Sequence, residues 1–156
     1  MKVFDYTNVK DPRYFRDGRL DAGSDHVYYA SEADMLSGNS EFRESLNGVW
    51  KFHYAKNYRS AVPGFEKSDY SCADWDDIRV PAHIQLEGYD APHYVNAQYP
   101  WEGREDIRPG QIPEHFNPTA SYVKYFTVPE RMQGRRIFIS FQGAESGIAV
   151  DRKSVV

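Results

Sequence analysis

The chain has a single cysteine, Cys72, so no internal disulfide can form and cysteine usage gives no sign of secretion. A lone thiol could serve as a nucleophile, but Ser71-Cys72-Ala73-Asp74 reads as a polar connection, and Cys72 is read as structural. Lysine and arginine form no cluster or stripe, which argues against nucleic acid as a partner. No stretch approaches the ~18 apolar residues of a membrane span. The N-terminus, Met1-Lys2-Val3-Phe4-Asp5-Tyr6, lacks the apolar run of a secretory leader. Together these absences lead to the expectation of a cytoplasmic protein with neither membrane nor nucleic acid among its partners. Leucine and methionine, strong helix formers, are scarce, and no internal repeat or low-complexity tract occurs.

Aromatic side chains are abundant, with 12 Tyr, 9 Phe and 3 Trp in 156 residues, and that balance favours strands. The net charge of −4 is ordinary and carries little functional weight. A chain of this length buries roughly 68–70% of its unfolded surface, enough for a real core.

Residues 1–30 show no clean period but hold many aromatics, and they read as an extended arm lying on a surface. Ser31 is placed to cap a helix that Gly38 would end two turns later. Trp50, Phe52 and Tyr54 alternate with Val49, Lys51 and His53, so period two places the three aromatics on one face of a strand, with Trp50 in the core. Asp77–Val80 reads as a short strand that Pro81 stops. Further strands are expected over Tyr122–Val128, Ile137–Phe141 and from Ile148 to Val150. Short strands, long loops and few helices point to an antiparallel β-sandwich.

A long loop over residues 81–118 follows the strand stopped by Pro81, and it holds six of the nine prolines. Gly88, Asp90 and Pro92 break regular structure there, and long ordered loops are usually kept for binding. Asn96 carries one acceptor and two donors, a set that suits a sugar hydroxyl; a loop asparagine satisfying backbone groups is the plainer reading of the residue alone. Tyr94, Tyr99 and Trp101 either stack on a sugar ring or pack the loop down. The acidic groups Asp74, Asp76, Asp77 and Glu102, Glu105, Asp106 have no apolar wall to raise a pKa, and they read as solvated loop charge. The five histidines are scattered, and no metal site is expected in this chain.

Four motifs carry a resemblance. They are Arg43-Glu44-Ser45-Leu46-Asn47-Gly48-Val49-Trp50-Lys51-Phe52, the run Val80-Pro81 to Gln85 with Gly88-Tyr89-Asp90-Ala91-Pro92, then Tyr94-Val95-Asn96-Ala97-Gln98-Tyr99-Pro100, and Phe141-Gln142-Gly143-Ala144-Glu145-Ser146. With these the chain resembles the N-terminal domain of family 2 glycoside hydrolases, above all the long β-galactosidases. Arg19-Leu20 and Ser24-Asp25-His26 also fit the family's arm, while Gly18, Asp21 and Gly23 depart from it.

The resemblance implies an all-β, jelly-roll β-sandwich of the galactose-binding kind, incomplete at its C-terminus. The expected organisation is an N-terminal arm with a short helix over 1–42, the sugar-binding domain over 43–150, and a tail over 151–156. The hexapeptide Asp151-Arg152-Lys153-Ser154-Val155-Val156 is what a common sequencing adapter encodes in one frame, so the tail reads as an assembly artefact on a truncated gene. The resemblance further implies a parent that hydrolyses terminal β-galactosides with retention, using two barrel glutamates that are not in this chain. No catalytic residue is therefore assigned here. Asn96 matches the family asparagine that reaches into the galactose pocket, with Tyr94, Tyr99 and Trp101 as loop support. Magnesium and sodium are implied for the full-length enzyme, Asn8 and Asp11 lying loosely where a magnesium pair would sit, and a homo-oligomer is implied for the parent. A free-standing carbohydrate-binding module, and a piece of a β-glucuronidase or β-mannosidase, are the alternatives.

Overall fold

The computed structural model describes residues 4–23, 26–92, 96–99, 101–145 and 147–152. Tyr94, His93, Pro100 and positions 153–156 of the tail lie outside them. The described chain forms two compact units, one from the residues up to Asp17, Asn47–Lys124 and the residues from Val150 on, the other from Gly18–Leu46 and Tyr125–Ala149.

The first unit is built on a three-stranded antiparallel sheet in the order β2-β1-β3. Strand β1 is Gly48–Ala55, β2 is Asp76–Val80 and β3 is Thr119–Val123. The alternation expected around Trp50 is thus the central strand, and the all-β expectation holds. In register, Trp50 lies opposite Ile78, and Phe52 lies between Asp76 on one side and Tyr122 on the other.

Both faces of β1 carry aromatic rings. On one, Phe52 is 0% exposed and meets Tyr89 at 4.5 Å and Tyr122 at 4.9 Å between ring centroids. Both pairs are edge-on, the arrangement that ring quadrupoles favour. Trp50, expected in the core, is only half-buried and meets Tyr122 edge-on at 6.4 Å. Its ladder partner on β2 is Ile78, and the pairing with β3 begins one residue later, at Lys51. On the other face, Trp75 packs against His53 and Phe65, each at 5.4 Å, and its indole N–H donates to the Tyr70 hydroxyl. Lys51 pairs with its cross-strand neighbour Asp77 at 2.9 Å and donates to the Trp75 carbonyl. Cys72 is buried, in keeping with a structural thiol.

Three phenols surround this core, and burial raises the pKa of each: Tyr122 by burial alone, Tyr89 by burial and then its bond to Asp76, Tyr54 by burial and then the charge of Asp90. A raised folded pKa stabilises the fold fully below the unfolded value of about 10, and that contribution is lost as pH rises through the folded value. The sheet is therefore expected to lose stability in alkali from about pH 10 upward, and Tyr122→Phe to flatten that loss. Chemical denaturation followed across pH 8–11 checks this; a Tyr122→Phe variant with an unchanged alkaline slope would contradict it.

The N-terminal arm opens not as extended chain but as a 3₁₀ turn over Tyr6–Lys10. The reason is local: the Asp5 carboxylate accepts both the amide and the hydroxyl of Thr7, capping the turn. The Tyr6 ring stacks on Tyr58 at 3.8 Å, and its hydroxyl accepts from Asn117 at 2.7 Å. These contacts hold the arm on the sheet unit.

In the second unit, helix α1 spans Glu32–Ser37. Ser31 caps it by accepting the Asp34 amide, and Gly38 closes it in the left-handed region at φ 74°. Arg131 pairs with Glu44, Arg135 with Glu41 at 3.3 Å, and the Arg135 guanidinium lies 4.9 Å over the Phe42 ring.

The strands expected over Tyr122–Val128, Ile137–Phe141 and from Ile148 to Val150 are corrected. β3 ends at Val123, and no ladder forms among the described residues beyond it. β-propensity supplies extended backbone, but a strand also needs a neighbour to take its N–H and C=O groups. Ile137, Phe138, Ile139 and Phe141 are 39–59% exposed, an apolar run that belongs to no strand. No helix among the described residues is long and apolar enough to cross a membrane.

Candidate functional site

The proline-rich loop between β2 and β3 is organised by two anchors, one on each side of Asn96. The first lies over residues 83–90. Ile84 accepts the amides of Glu87 and Tyr89 at 3.1 and 3.0 Å, winding the chain into consecutive turns. Gly88 at φ 92° and Asp90 at φ 63° then reverse it, as expected of those turn residues. The reversal presses the Tyr89 ring onto Phe52 and lets its hydroxyl donate to Asp76 Oδ2 at 2.9 Å. The loop is thereby fastened back to the first residue of β2.

The second anchor is Glu105. Its Oε2 accepts the amide of Glu114 at 2.8 Å, and its Oε1 accepts those of His115 and Phe116, both at 2.7 Å. Burial acts to raise this carboxyl, but the three amide donors and nearby His115 prevail and hold it below the usual glutamate value. Glu105 is therefore not the solvated loop charge the sequence suggests. Its signal is nonlocal: residues 114–116 are in no ladder, so their amides are open to a side-chain acceptor, and no local spacing names which one. Arg104, beside it, lies 3.9 Å over the Phe116 ring. The receiving segment is itself fixed to the sheet unit. The Asn117 amide donates to the Lys56 carbonyl at 3.0 Å, Asn57 Nδ2 to the His115 carbonyl at 3.1 Å, and Arg59 pairs with Glu114 at 2.6 Å.

Between the anchors, Asn96 is exposed, on a bend over residues 96–98. Tyr99 and Trp101 stack on each other, centroids 5.1 Å apart and planes within 6°. Trp101 is half-buried, while Tyr99 is 65% exposed. The pair stiffens the turn that follows Asn96, with the Tyr99 carbonyl accepting Glu102 N–H and the Trp101 carbonyl accepting those of Arg104 and Glu105. Tyr94 falls outside the described residues. The site thus combines an exposed amide with a stacked aromatic pair that begins three residues later, a set suited to a polyhydroxylated ligand. A cleft of about 320 Å³ in the other unit, between Val27, Tyr29, Ser40 and Arg43, is wide open and gathers no comparable set of groups.

No group of three or more His, Cys, Asp and Glu residues placed to hold a metal ion occurs among the described residues. Asp11, loosely matched to a magnesium pair, accepts the Arg13 amide and Nε at Oδ1 and the Arg13 Nη2 at Oδ2. The Arg13 side chain, and then its amide, lower the Asp11 pKa. Both Asp11 oxygens are thus engaged by Arg13.

Residues 43–152 match the model of the glycosyl hydrolases family 2 sugar binding domain. A β-galactosidase of Halalkalibacterium halodurans is 48% identical over 143 residues, and one of Streptococcus thermophilus is 42% identical over 144. These alignments cover 91% and 92% of this chain but 14% of each relative. A β-galactosidase large subunit of Latilactobacillus sakei is 39% identical, with 89% of this chain and 24% of the relative covered. The chain therefore spans about one-seventh of the length of the first two relatives. The matched segment runs through β1, the anchored loop and β3, and by it the chain belongs to glycosyl hydrolase family 2, through that family's sugar-binding domain.

Proposed function

We propose that this chain serves as the N-terminal sugar-binding domain of a cytoplasmic β-galactosidase that releases terminal β-D-galactose with retention. Asn96, in this reading, supplies one wall of the galactose pocket. The observation that carries the reading is the domain match over 43–152 combined with relatives named β-galactosidase and β-galactosidase large subunit. The anchored loop supports it, because a site that pairs sugar hydroxyls must hold its amide in place before the sugar arrives. Completion of the sheet as a jelly roll, assembly of the enzyme as a homo-oligomer, and use of magnesium and sodium elsewhere in the enzyme belong to the same proposal. The catalytic carboxylates lie outside this domain, so the chain shapes the pocket and does not itself transfer protons.

Calorimetry tests the reading against a free-standing carbohydrate-binding module. The isolated chain is expected to give no heat with galactose or lactose, and no release of nitrophenol from a nitrophenyl β-galactoside, whereas the intact enzyme gives both. Saturable heat from the chain alone would favour the module instead.

A further inference from the structure

Glu105 holds three consecutive amides with one carboxylate, and what it joins is informative. Upstream, its own amide is held by Trp101, whose ring is stacked on Tyr99, three residues after Asn96. Downstream, the amides it accepts belong to a segment tied to Lys56 and Asn57, immediately after β1. The carboxylate thus links that turn to the segment that follows β1. We propose that Glu105 is a positioning residue for Asn96, fixing the turn on which the amide is presented. The inference rests on the reading of Asn96 as a galactoside contact.

The chemistry demands a carboxylate. Both oxygens accept, so a glutamine at this position would keep the acceptors for two amides and turn its own NH2 toward a third N–H donor. An aspartate keeps the acceptors and the charge on a stem shorter by one methylene. The lowered pKa of Glu105 fits the same arrangement. The hold is complete above the ordinary glutamate value and is lost as pH falls through the depressed folded value.

The test uses two readouts. In the intact enzyme carrying this domain, Asn96→Ala, Glu105→Gln, Glu105→Asp and the double variant Asn96→Ala with Glu105→Gln are compared for KM and kcat on nitrophenyl β-galactoside. Glu105→Gln is expected to raise KM about five-fold with kcat little changed, the scale of one lost hydrogen bond. Glu105→Asp recovers part of the loss, and the double variant is no worse than Asn96→Ala alone, because Glu105 acts through Asn96. On the 156-residue chain, ¹⁵N spectra of Glu105→Gln are expected to shift the Asn96 side-chain amide together with the amides of 114–116, leaving the β1–β2 ladder unmoved. If Asn96→Ala raises KM and Glu105→Gln does not, or if the two losses simply add, the inference fails while the function stands. If Asn96→Ala leaves KM unchanged, the functional reading fails, and an unmoved Asn96 amide in the spectra would overturn the hold of Glu105 as well.

Discussion

Phe52→Ala is expected to cost about 3–5 kcal/mol, the range for truncating a buried aromatic, and so to remove a large share of the about 5–15 kcal/mol by which such domains are stable. Phe52 is the one fully buried large side chain among the described residues. It sits on the central strand, opposite Tyr122 and under Tyr89, so its loss removes the floor of the sheet and the seat of the loop together. Neighbouring rings cannot close the hole: Tyr89 is tethered through Asp76, and Tyr122 is held in the ladder with β1. Phe52→Leu keeps most of the volume and is expected to cost much less. Urea denaturation of the three proteins decides it; a Phe52→Ala midpoint within error of the parent would show that the core lies elsewhere. By contrast Val49→Ala, at an exposed position on the same strand, is expected to change stability by about 0.5 kcal/mol or less.

Asn96→Ala in the intact enzyme is expected to lower kcat/KM for galactosides about ten-fold, mostly through KM, which corresponds to one well-made hydrogen bond to a sugar hydroxyl. The structure places no burden of folding on this side chain: it is exposed, and the bend it occupies is held from both sides by Tyr89 and Glu105. A loss of activity should therefore come without a loss of melting temperature. That separation distinguishes a binding amide from a loop asparagine serving its own backbone, since the latter would show in the melt. Substrates lacking one ring hydroxyl should locate the contact: the deoxygalactoside missing Asn96's partner loses little further activity in the variant.

What could be read ahead of the structure was local. The alternation through Trp50, Phe52 and Tyr54 gives β1 because a two-residue period is a property of the strand itself. Ser31 and Gly38 bound α1 because capping is decided within a few residues. Asp90 and Gly88 reverse the loop for the same reason. The failures were nonlocal. Ile137–Phe141 has the composition of a strand, but a ladder is a relation between two segments, and its own residues cannot state whether the second is present. Trp50 has the phase of a core residue, yet its burial depends on what lies across β1. Glu105 looked like one of three surface acids; only the arrival of residues 114–116 reveals its office. For the site, the motif around Asn96 singled out the amide, whereas the two anchors that hold its loop came from the structure alone.

The central claim is that the Asn96 amide faces a galactose held by the rest of the enzyme. A crystal structure of the intact enzyme with a bound, slowly turned-over galactoside measures it directly. The account predicts an Asn96 Oδ1 or Nδ2 within about 3.2 Å of a galactose hydroxyl, with Glu105 still on the amides of 114–116. An Asn96 side chain turned away from the occupied pocket, with the sugar fully bonded by other residues, would contradict it.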